Sequence, residues 1–251
     1  MTMQAEPGHF YAVGIGPGAP DLITLRAARI LEAADALVAP RSDRSERSGG
    51  SGQSLALRIA AAHVHDQEVL VHTYPMHRDQ ASTRASWAQV ADWVAIRLQA
   101  GQAVAQITLG DPLLYSTSAY LMECLLERVP AERLHVVPGI SAMQAAAAAF
   151  GAPLTVQEDR LTLMPATDLA AVARALDSCE TLVLYKVGGQ LPALRALLAE
   201  RGLLAQARLG CAVEQAGREV LYRDLGDPVA AALGYLSVVL VRCGHRPWRS
   251  A

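Results

Sequence analysis

Three short turns rich in glycine and proline contain the residues of this sequence that could do chemistry. They span residues 14–19, 110–117 and 138–141. Each turn follows an apolar stretch typical of a buried strand and precedes an apolar helical pattern. Glycine lets the backbone approach a ligand closely, and open α/β sheets bind ligands at the carboxyl ends of their strands. The turns therefore predict a ligand site built largely from backbone groups.

Asp111 is the acidic residue of the second turn. Its position at the end of a predicted strand favours contact with a ligand, although an ordinary turn has the same spacing. The sequence Leu-Gly-Asp-Pro occurs again at residues 225–228, where it follows polar residues instead of a strand. We interpret the second copy, with Asp227, as a helix cap.

The first turn formally matches the dinucleotide fingerprint G-x-G-x-x-A, so a nicotinamide-dependent dehydrogenase is one alternative. Pro17 removes an N–H group that such a loop would direct at a pyrophosphate. Asp35 precedes the second predicted strand, 36–39, whereas the fingerprint needs an acidic residue at the end of that strand. The match is therefore weak.

The composition excludes several classes of protein. Among 251 residues, 52% are hydrophobic and 18% charged, the formal net charge is −2, and aromatic residues are few. Such a chain can form a large core but has no basic field for nucleic acid or an anionic membrane. We find no signal peptide and no apolar run of membrane-spanning length. We therefore expect a cytoplasmic protein that does not associate with a membrane.

The four cysteines are not spaced as a metal site. No pair forms a C-x-x-C motif, and no histidine lies at ligand spacing from them. We expect buried, reduced thiols that pack as small apolar side chains, and no bound metal. They are Cys124, Cys179, Cys211 and Cys243.

Strands and helices alternate in the first half, which predicts a mostly parallel sheet with helices on both faces. Predicted strands are 10–15, 36–39, 69–71, 103–109 and 134–137. Predicted helices begin near Pro20 and Asp21 and span 55–62, 80–99, 118–126 and 143–150. We place the N-terminal α/β domain at residues 1–152.

The second half, residues 153–251, has closer strands and predicts an α/β domain with a mixed sheet. Its predicted strands are 161–164, 181–185, 208–213, 219–222 and 235–241, and its predicted helices are 170–176, 191–201 and 228–233.

Four segments in order resemble the tetrapyrrole methylases. They are 13–18 together with 21–25, 109–112, 137–141 and 152–154. The resemblance implies two α/β domains with the active site in the cleft between them, S-adenosylmethionine as methyl donor, a small tetrapyrrole as substrate and a homodimer, to which the long helix 80–99 could contribute.

Further segments resemble the branch of that family that methylates C20 of precorrin-2, or of cobalt-factor II, in cobalamin biosynthesis. They are 54–57, 75–79, 115–117, 159–162 and 185–188. One departure is Gln157, near which we expect glycine. Methylation of another ring position, in siroheme or another corrin step, stays open, as does a binding protein without catalysis.

The resemblance also implies which residues bind the donor. These are Pro17, Gly110, Asp111, Leu114, Ser116, Thr117, Ser141, Ala142, Lys186, Glu214 and Ala216.

The substrate carries many carboxylates, which arginines can hold. The Ser/Gly-rich segment 41–54 is either a lid or a passive connector. The expected substrate residues are Arg41, Arg44, Arg47, Arg78, Arg160 and Tyr115.

A meso carbon of the reduced ring is already nucleophilic, so little acid–base catalysis is needed. Tyr115, His77 and Glu158 are candidate bases, and we assign none.

Overall fold

The computed structural model describes residues 4–41, 54–73, 80–229, 236–244 and 248. The chain divides into two compact units, residues 1–141 and 142–251. The sequence pattern predicts the domain boundary between residues 152 and 153 instead, one helix later. The structure groups that helix with the second unit, and the domain boundary itself stays a prediction.

The first unit is built on a five-stranded sheet. Its strands are β1 (Phe10–Gly14), β2 (Ala36–Arg41), β3 (Glu68–Thr73), β4 (Val104–Thr108) and β5 (Leu134–Val137). Its helices are α1 (Leu25–Ala33), α2 (Leu55–Ile59), α3 (Gln80–Gln99) and α4 (Ser118–Leu126), with 3-10 turns at Pro20–Leu22, Ala61–His63 and Ala131–Arg133. The strand order is β3-β2-β4-β1-β5, and every pairing is parallel.

Helices cover both faces of this sheet because its central strands are apolar on both sides. Along β1, Phe10 and Ala12 pack in one cluster with α3 and α4. Tyr11 and Val13 pack in another cluster with α1 and α2. Successive side chains of a strand point to opposite faces, so each face has its own core. The parallel sheet with helices on both faces is confirmed.

Helix α1 begins later than the sequence analysis places it. Pro20–Leu22 forms only a 3-10 turn, and the helix starts at Leu25. The hydroxyl of Thr24 accepts a hydrogen bond from the Ala27 N–H at 3.1 Å. Threonine is a strong N-cap because it satisfies an N–H that the first turn leaves free, and this cap fixes the helix start.

The second unit has a mixed sheet, as expected. Its strands are β6 (Leu161–Pro165), β7 (Thr181–Tyr185), β8 (Ala207–Cys211), β9 (Val220–Tyr222) and β10 (Ser237–Arg242), in the order β6-β7-β10-β8-β9. Its helices are α5 (Ala142–Phe150), α6 (Leu169–Leu176) and α7 (Leu191–Glu200), with 3-10 turns at Gly188–Gln190 and Leu204–Gln206. Only β6 and β7 pair in parallel; the other three pairings are antiparallel.

Strand β8 ends at Cys211, two residues before the predicted end at residue 213, because Ala212 turns the chain with φ 45°. β7 and β8 both run antiparallel to β10, so their carboxyl ends lie at the same edge of the sheet. The predicted helix 228–233 falls largely outside the described residues. Within the described ranges, no helix combines the length and the apolarity needed to cross a membrane.

Candidate functional site

The three turns meet at one end of the first sheet, at the carboxyl ends of the three adjacent strands β4, β1 and β5. From β1 the chain moves towards β2 and β3 on one side, and from β4 it moves to β5 on the other. Parallel sheets bind ligands where the connections diverge in this way. The sheet therefore places the turns at its most favourable position for a ligand.

Gly14 and Gly139 let the three turns pack backbone against backbone. A Cβ added at Gly14 would lie 2.5 Å from the Gly110 oxygen and 2.7 Å from the Gly139 nitrogen. A Cβ added at Gly139 would lie 2.2 Å from the same oxygen. All three contacts are far shorter than van der Waals distances, so any side chain at these positions would separate the turns.

Gly110 fastens the second turn to the first. Its N–H donates to the Gly16 oxygen at 2.8 Å, in an isolated antiparallel bridge just beyond the parallel strands. Gly110 and Gly16 have φ of 69° and 77°, in the left-handed region that favours glycine.

The first turn does not have the geometry of a dinucleotide loop. Such a loop opens directly into a helix, whose N-terminus faces the pyrophosphate. Here the helix begins only at Leu25. Asp35 precedes β2, and its carboxylate accepts a hydrogen bond from the Ala103 N–H at 2.7 Å, at the start of β4. Asp35 therefore lies at the edge of the sheet opposite the turns.

Asp111 joins the second turn to the third. Its Oδ2 accepts a hydrogen bond from the Gly139 N–H at 3.0 Å, and its Oδ1 accepts one from the Leu113 N–H at 2.9 Å. Within the turn, the Leu114 N–H donates to the backbone carbonyl oxygen of Asp111 at 3.3 Å. Both carboxylate oxygens thus position backbone, and direct contact with a donor stays a prediction.

Ser116 connects the end of β4 to the start of α4. Its hydroxyl lies 3.0 Å from the Thr108 hydroxyl, donates to the Ser118 hydroxyl at 3.0 Å and accepts from the Ser118 N–H at 3.1 Å. The neighbouring Tyr115 is 47% exposed and has φ 51°, which is strained for a non-glycine residue. Strain of this kind concentrates at functional sites.

Of the remaining predicted residues of the first unit, some are described by the structure and others lie outside the described ranges. Pro17 and Ser141 are buried in the first and third turns, and Thr117 immediately precedes α4. Arg41 ends β2 at the same edge, where its Nε donates to the Thr73 hydroxyl at 3.0 Å. Arg44, Arg47, His77, Arg78 and most of the segment 41–54 lie outside the described residues.

Lys186 and Glu214 lie at one edge of the second sheet. Lys186 follows β7 and Glu214 follows β8, on either side of the first residues of β10. Both have left-handed backbones, with φ of 56° and 62°. The Glu214 N–H donates to the Glu219 carboxylate at 2.8 Å, and Ala216 is exposed in the same turn.

Tyr185, the last residue of β7, was not predicted from the sequence as a residue of the site. Its hydroxyl accepts a hydrogen bond from the Met143 N–H at 3.0 Å. This bond holds the start of α5, where the predicted residue Ala142 lies. A tyrosine ending an apolar strand is a weak signal, since its hydroxyl can equally point to solvent.

Arg160 is not brought to the edge that carries Lys186 and Glu214. It precedes β6, at the opposite edge, and forms a two-point ion pair with Glu180 at 2.9 and 3.1 Å. Hydrogen bonds from Arg160 hold the pKa of the Glu180 carboxyl at about 2. The Arg160 guanidinium is therefore already paired with a carboxylate of its own unit. An arginine that binds substrate carboxylates would need its guanidinium available to them.

The sequence as a whole matches one family model. Residues 9–225 match the family described as Tetrapyrrole (Corrin/Porphyrin) Methylases. This chain belongs to the tetrapyrrole methylases. The family predicted from the four segments is therefore confirmed, and its two α/β units are those that the structure shows.

Individual members of the tetrapyrrole methylases resemble the chain over most of its length. A cobalt-precorrin-2 C(20)-methyltransferase from Salmonella typhimurium is 39% identical over 97% of this chain and 99% of its own. A precorrin-2 C(20)-methyltransferase from Sinorhizobium sp is 34% identical over 80% and 82%. The structure of a uroporphyrin-III C-methyl transferase from Thermus thermophilus, complexed with S-adenyl homocysteine, covers 94% of this chain and 98% of its own, with TM-score 0.60 and 20% identity. This last likeness shows the fold.

Metal ligands do not cluster in the part of the chain that the structure describes. No three His, Cys, Asp or Glu side chains there come close enough together to hold an ion.

Proposed function

We propose that this tetrapyrrole methylase transfers a methyl group from S-adenosylmethionine to C20 of precorrin-2 or of its cobalt counterpart. The observation that carries the proposal is the convergence of the three glycine turns at the carboxyl ends of β1, β4 and β5. The names of the two relatives supply the acceptor and the ring position.

The residues around Gly110 fit a small, polar donor. Gly110 is half-buried, and a Cβ there would lie 3.8 Å from the Ser141 Cα, so a side chain would fill the space between the second and third turns. Backbone N–H and C=O groups of such turns can satisfy an adenosine and an amino-acid tail at close range. The proposed donor residues are Pro17, Gly110, Asp111, Leu114, Ser116, Thr117 and Ser141 in the first unit, and Ala142, Lys186, Glu214 and Ala216 in the second.

S-adenosylmethionine supplies an electrophilic methyl group on a sulfonium. The acceptor carbon is enamine-like, so the chain has to hold donor and acceptor in line and to exclude water. Burial raises the pKa of the Tyr115 phenol, which opposes a role for Tyr115 as the base that accepts the proton of the acceptor carbon. Arg41, with Arg44, Arg47 and Arg78, is proposed to bind substrate carboxylates.

The deciding experiment is turnover with S-adenosylmethionine and either precorrin-2 or the cobalt form. Mass spectrometry counts the added methyl groups, and NMR of the isolated product locates them. A methyl at C20 is expected. A methyl at another ring position contradicts the acceptor assignment but keeps the donor, whereas binding without transfer contradicts the catalytic assignment.

A titration separates the methyltransferase from the dehydrogenase alternative. S-adenosylhomocysteine is expected to bind saturably and NADH not to bind. Saturable binding of NADH alone would overturn the proposed donor.

A homodimer and a cytoplasmic location stay proposals. On the long helix α3, Trp87 is only 3% exposed and packs in the core of the first unit, so any contribution of α3 to a dimer comes from its other residues. Ile96 on α3 and Tyr120 and Leu126 on α4 are each more than half exposed. Sedimentation equilibrium of the wild-type chain and of Ile96→Lys tests this surface, and an unchanged dimer in the variant excludes Ile96 from it.

A further inference from the structure

Cys179 and Cys243 lie on neighbouring strands at the edge of the second sheet opposite Lys186. Cys179 precedes β7, and Cys243 follows β10. The antiparallel pairing of these strands continues one step further, because the Cys243 N–H donates to the Glu180 oxygen at 2.9 Å. Gly244 donates to the same oxygen at 3.1 Å. Cys243 therefore lies opposite Glu180, the residue next to Cys179, so the backbones of the two cysteines are close neighbours.

The two side chains meet inside one apolar cluster. Cys179 is 6% exposed and belongs to the core beneath α6 and α7, and the half-buried Cys243 packs against that core. The Cys243 thiol and Thr162 stabilise the thiolate form of Cys179. The Cys243 thiol also donates to the Val241 oxygen at 3.8 Å. When protonated, the Cys179 thiol donates to the Ala175 oxygen at 3.2 Å.

Cys243 and Thr162 make Cys179 the most acidic of the four thiols. The bond from Cys243, followed by those from Thr162, lowers the pKa of Cys179 to about 6 despite its burial. By contrast, burial raises the pKa of Cys124 and Cys211. The thiolate is the reactive form of cysteine, so the structure distinguishes one cysteine and gives it a thiol neighbour.

We propose that Cys179 and Cys243 are a reversible oxidation site, which forms a disulfide between β7 and β10 when the protein meets a hydroperoxide. This site lies outside the methyl-transfer function proposed above.

The reaction has two steps. The Cys179 thiolate attacks the peroxide, so that an S–O bond forms, the O–O bond breaks, and an alcohol or water leaves after it takes up a proton. The Cys243 sulfur then attacks the sulfenic sulfur of Cys179. The S–S bond forms, the S–O bond breaks, and the hydroxide leaves as water with the Cys243 proton. Two electrons pass from the two sulfurs to one peroxide.

The disulfide would tie β10, the central strand of the sheet, to its neighbour β7, at the opposite ends of these strands from Lys186 and Glu214. Cross-linking restricts the unfolded chain, so the oxidised protein is expected to unfold at a higher temperature. Dithiothreitol is expected to return the midpoint to its starting value.

The experiment exposes the whole folded chain to a small excess of hydrogen peroxide and then blocks remaining thiols with iodoacetamide. We expect loss of two hydrogen atoms in the intact mass and a 179–243 linked peptide that dithiothreitol removes. Cys211→Ser, the matched control, should form the same link. Cys243→Ser should instead stop at a sulfenic acid on Cys179, which dimedone traps.

A second measurement needs no variant. The wild-type chain is oxidised in parallel in buffer and in concentrated urea, and the linked peptide is quantified. Faster linkage in the folded chain supports the site. Linkage only in urea, or equal oxidation of all four cysteines in buffer, would overturn the proposal.

Discussion

Asp111 Oδ2 lies 3.0 Å from the backbone nitrogen of Gly139, and this hydrogen bond ties the turn after β4 to the turn after β5. The other carboxylate oxygen is bound by the Leu113 N–H. The acidic residue that the sequence predicts to contact a ligand thus organises the backbone of these turns.

Asp111→Asn is expected to lower both stability and donor affinity. The amide nitrogen of asparagine cannot accept, so one of the two N–H partners loses its bond, at a cost of about 1–3 kcal/mol in the free energy of unfolding. Urea unfolding and calorimetry with S-adenosylhomocysteine measure the two effects.

The repeated Leu-Gly-Asp-Pro sequence provides a matched control for Asp111. Asp227 is exposed, and its carboxylate is not among the acceptors that hold a turn in the described residues. Asp227→Asn should change neither quantity measurably. Equal effects of the two substitutions would show that Asp111 has no special role.

Gly139→Ala is expected to destabilise the protein by about 2–3 kcal/mol or more, as overpacking does. The new methyl group would meet the Gly110 oxygen at 2.2 Å. Gly189→Ala is the control, because no atom of the described part of the chain lies within 4 Å of the added Cβ. Thermal unfolding compares the two, and a similar midpoint for both would contradict the packing of the turns.

Gln106→Met is expected to raise the free energy of unfolding by about 1–2 kcal/mol. Gln106 is fully buried on β4, and neither its amide oxygen nor its nitrogen has a hydrogen-bond partner among the residues that the structure describes. Removing a buried polar group without partners relieves its desolvation cost, and methionine keeps nearly the same shape.

Gln215 is the control for Gln106, since it is also buried but its amide oxygen accepts from Arg218 at 3.1 Å. Gln215→Met should therefore destabilise. If Gln106→Met destabilised instead, a bound water or ligand would be the partner of its amide.

The pKa of His135 leads to a prediction of how the free energy of unfolding depends on pH. Its ring stacks on His9 with centroids 5.1 Å apart, and the two rings share a hydrogen bond of 2.8 Å. Burial, and then His9, lower the pKa of His135 from its ordinary value of 6.5, while Glu6 opposes them.

Because the folded pKa is the lower one, the unfolded chain binds more protons below pH 6.5. The contribution of His135 to stability is therefore complete above that pH and is lost as the pH falls through the folded pKa. His135→Gln should flatten the decrease, with a residual slope from His72, whose pKa burial also lowers. Urea unfolding between about pH 7.5 and about pH 5 tests this, with the exposed His65→Gln as control. Parallel curves for wild type and His135→Gln would contradict it.

Glycine substitutions at two residues with left-handed backbones are expected to affect stability and donor affinity differently. Gln157 and Lys186 have φ of 57° and 56°, where glycine is less strained by about 1 kcal/mol. Gln157→Gly should stabilise the protein and leave donor affinity unchanged, whereas Lys186→Gly should weaken donor binding. Calorimetry with S-adenosylhomocysteine distinguishes them, and unchanged affinity in Lys186→Gly would remove Lys186 from the donor site.

Regular elements could be predicted from the sequence because their signals are local. Helix α3 has its predicted bounds, Gln80–Gln99, and β7 has its predicted bounds, Thr181–Tyr185. The start of α1 was wrong because Pro20 and Asp21 suit a helix N-terminus, yet Thr24 supplies the cap.

The site was only partly predictable. Glycine spacing predicted where the turns lie, and Gln157 was expected to be near a glycine position, in keeping with its left-handed backbone. The partners of side chains could not be predicted, because they come from distant segments: Gly139 binds Asp111, and Glu180 binds Arg160. No local pattern contains such pairs.

The packing of Gly14, Gly110 and Gly139 has a consequence for engineering the protein. Each turn limits the space of the other two, so relaxing one of them does not make room for a side chain at a single position. Substitutions in the three turns should therefore combine non-additively. A library that varies the turns separately would consist mostly of poorly folded chains. New acceptor specificity is better sought in the side chains around this backbone than in the backbone itself.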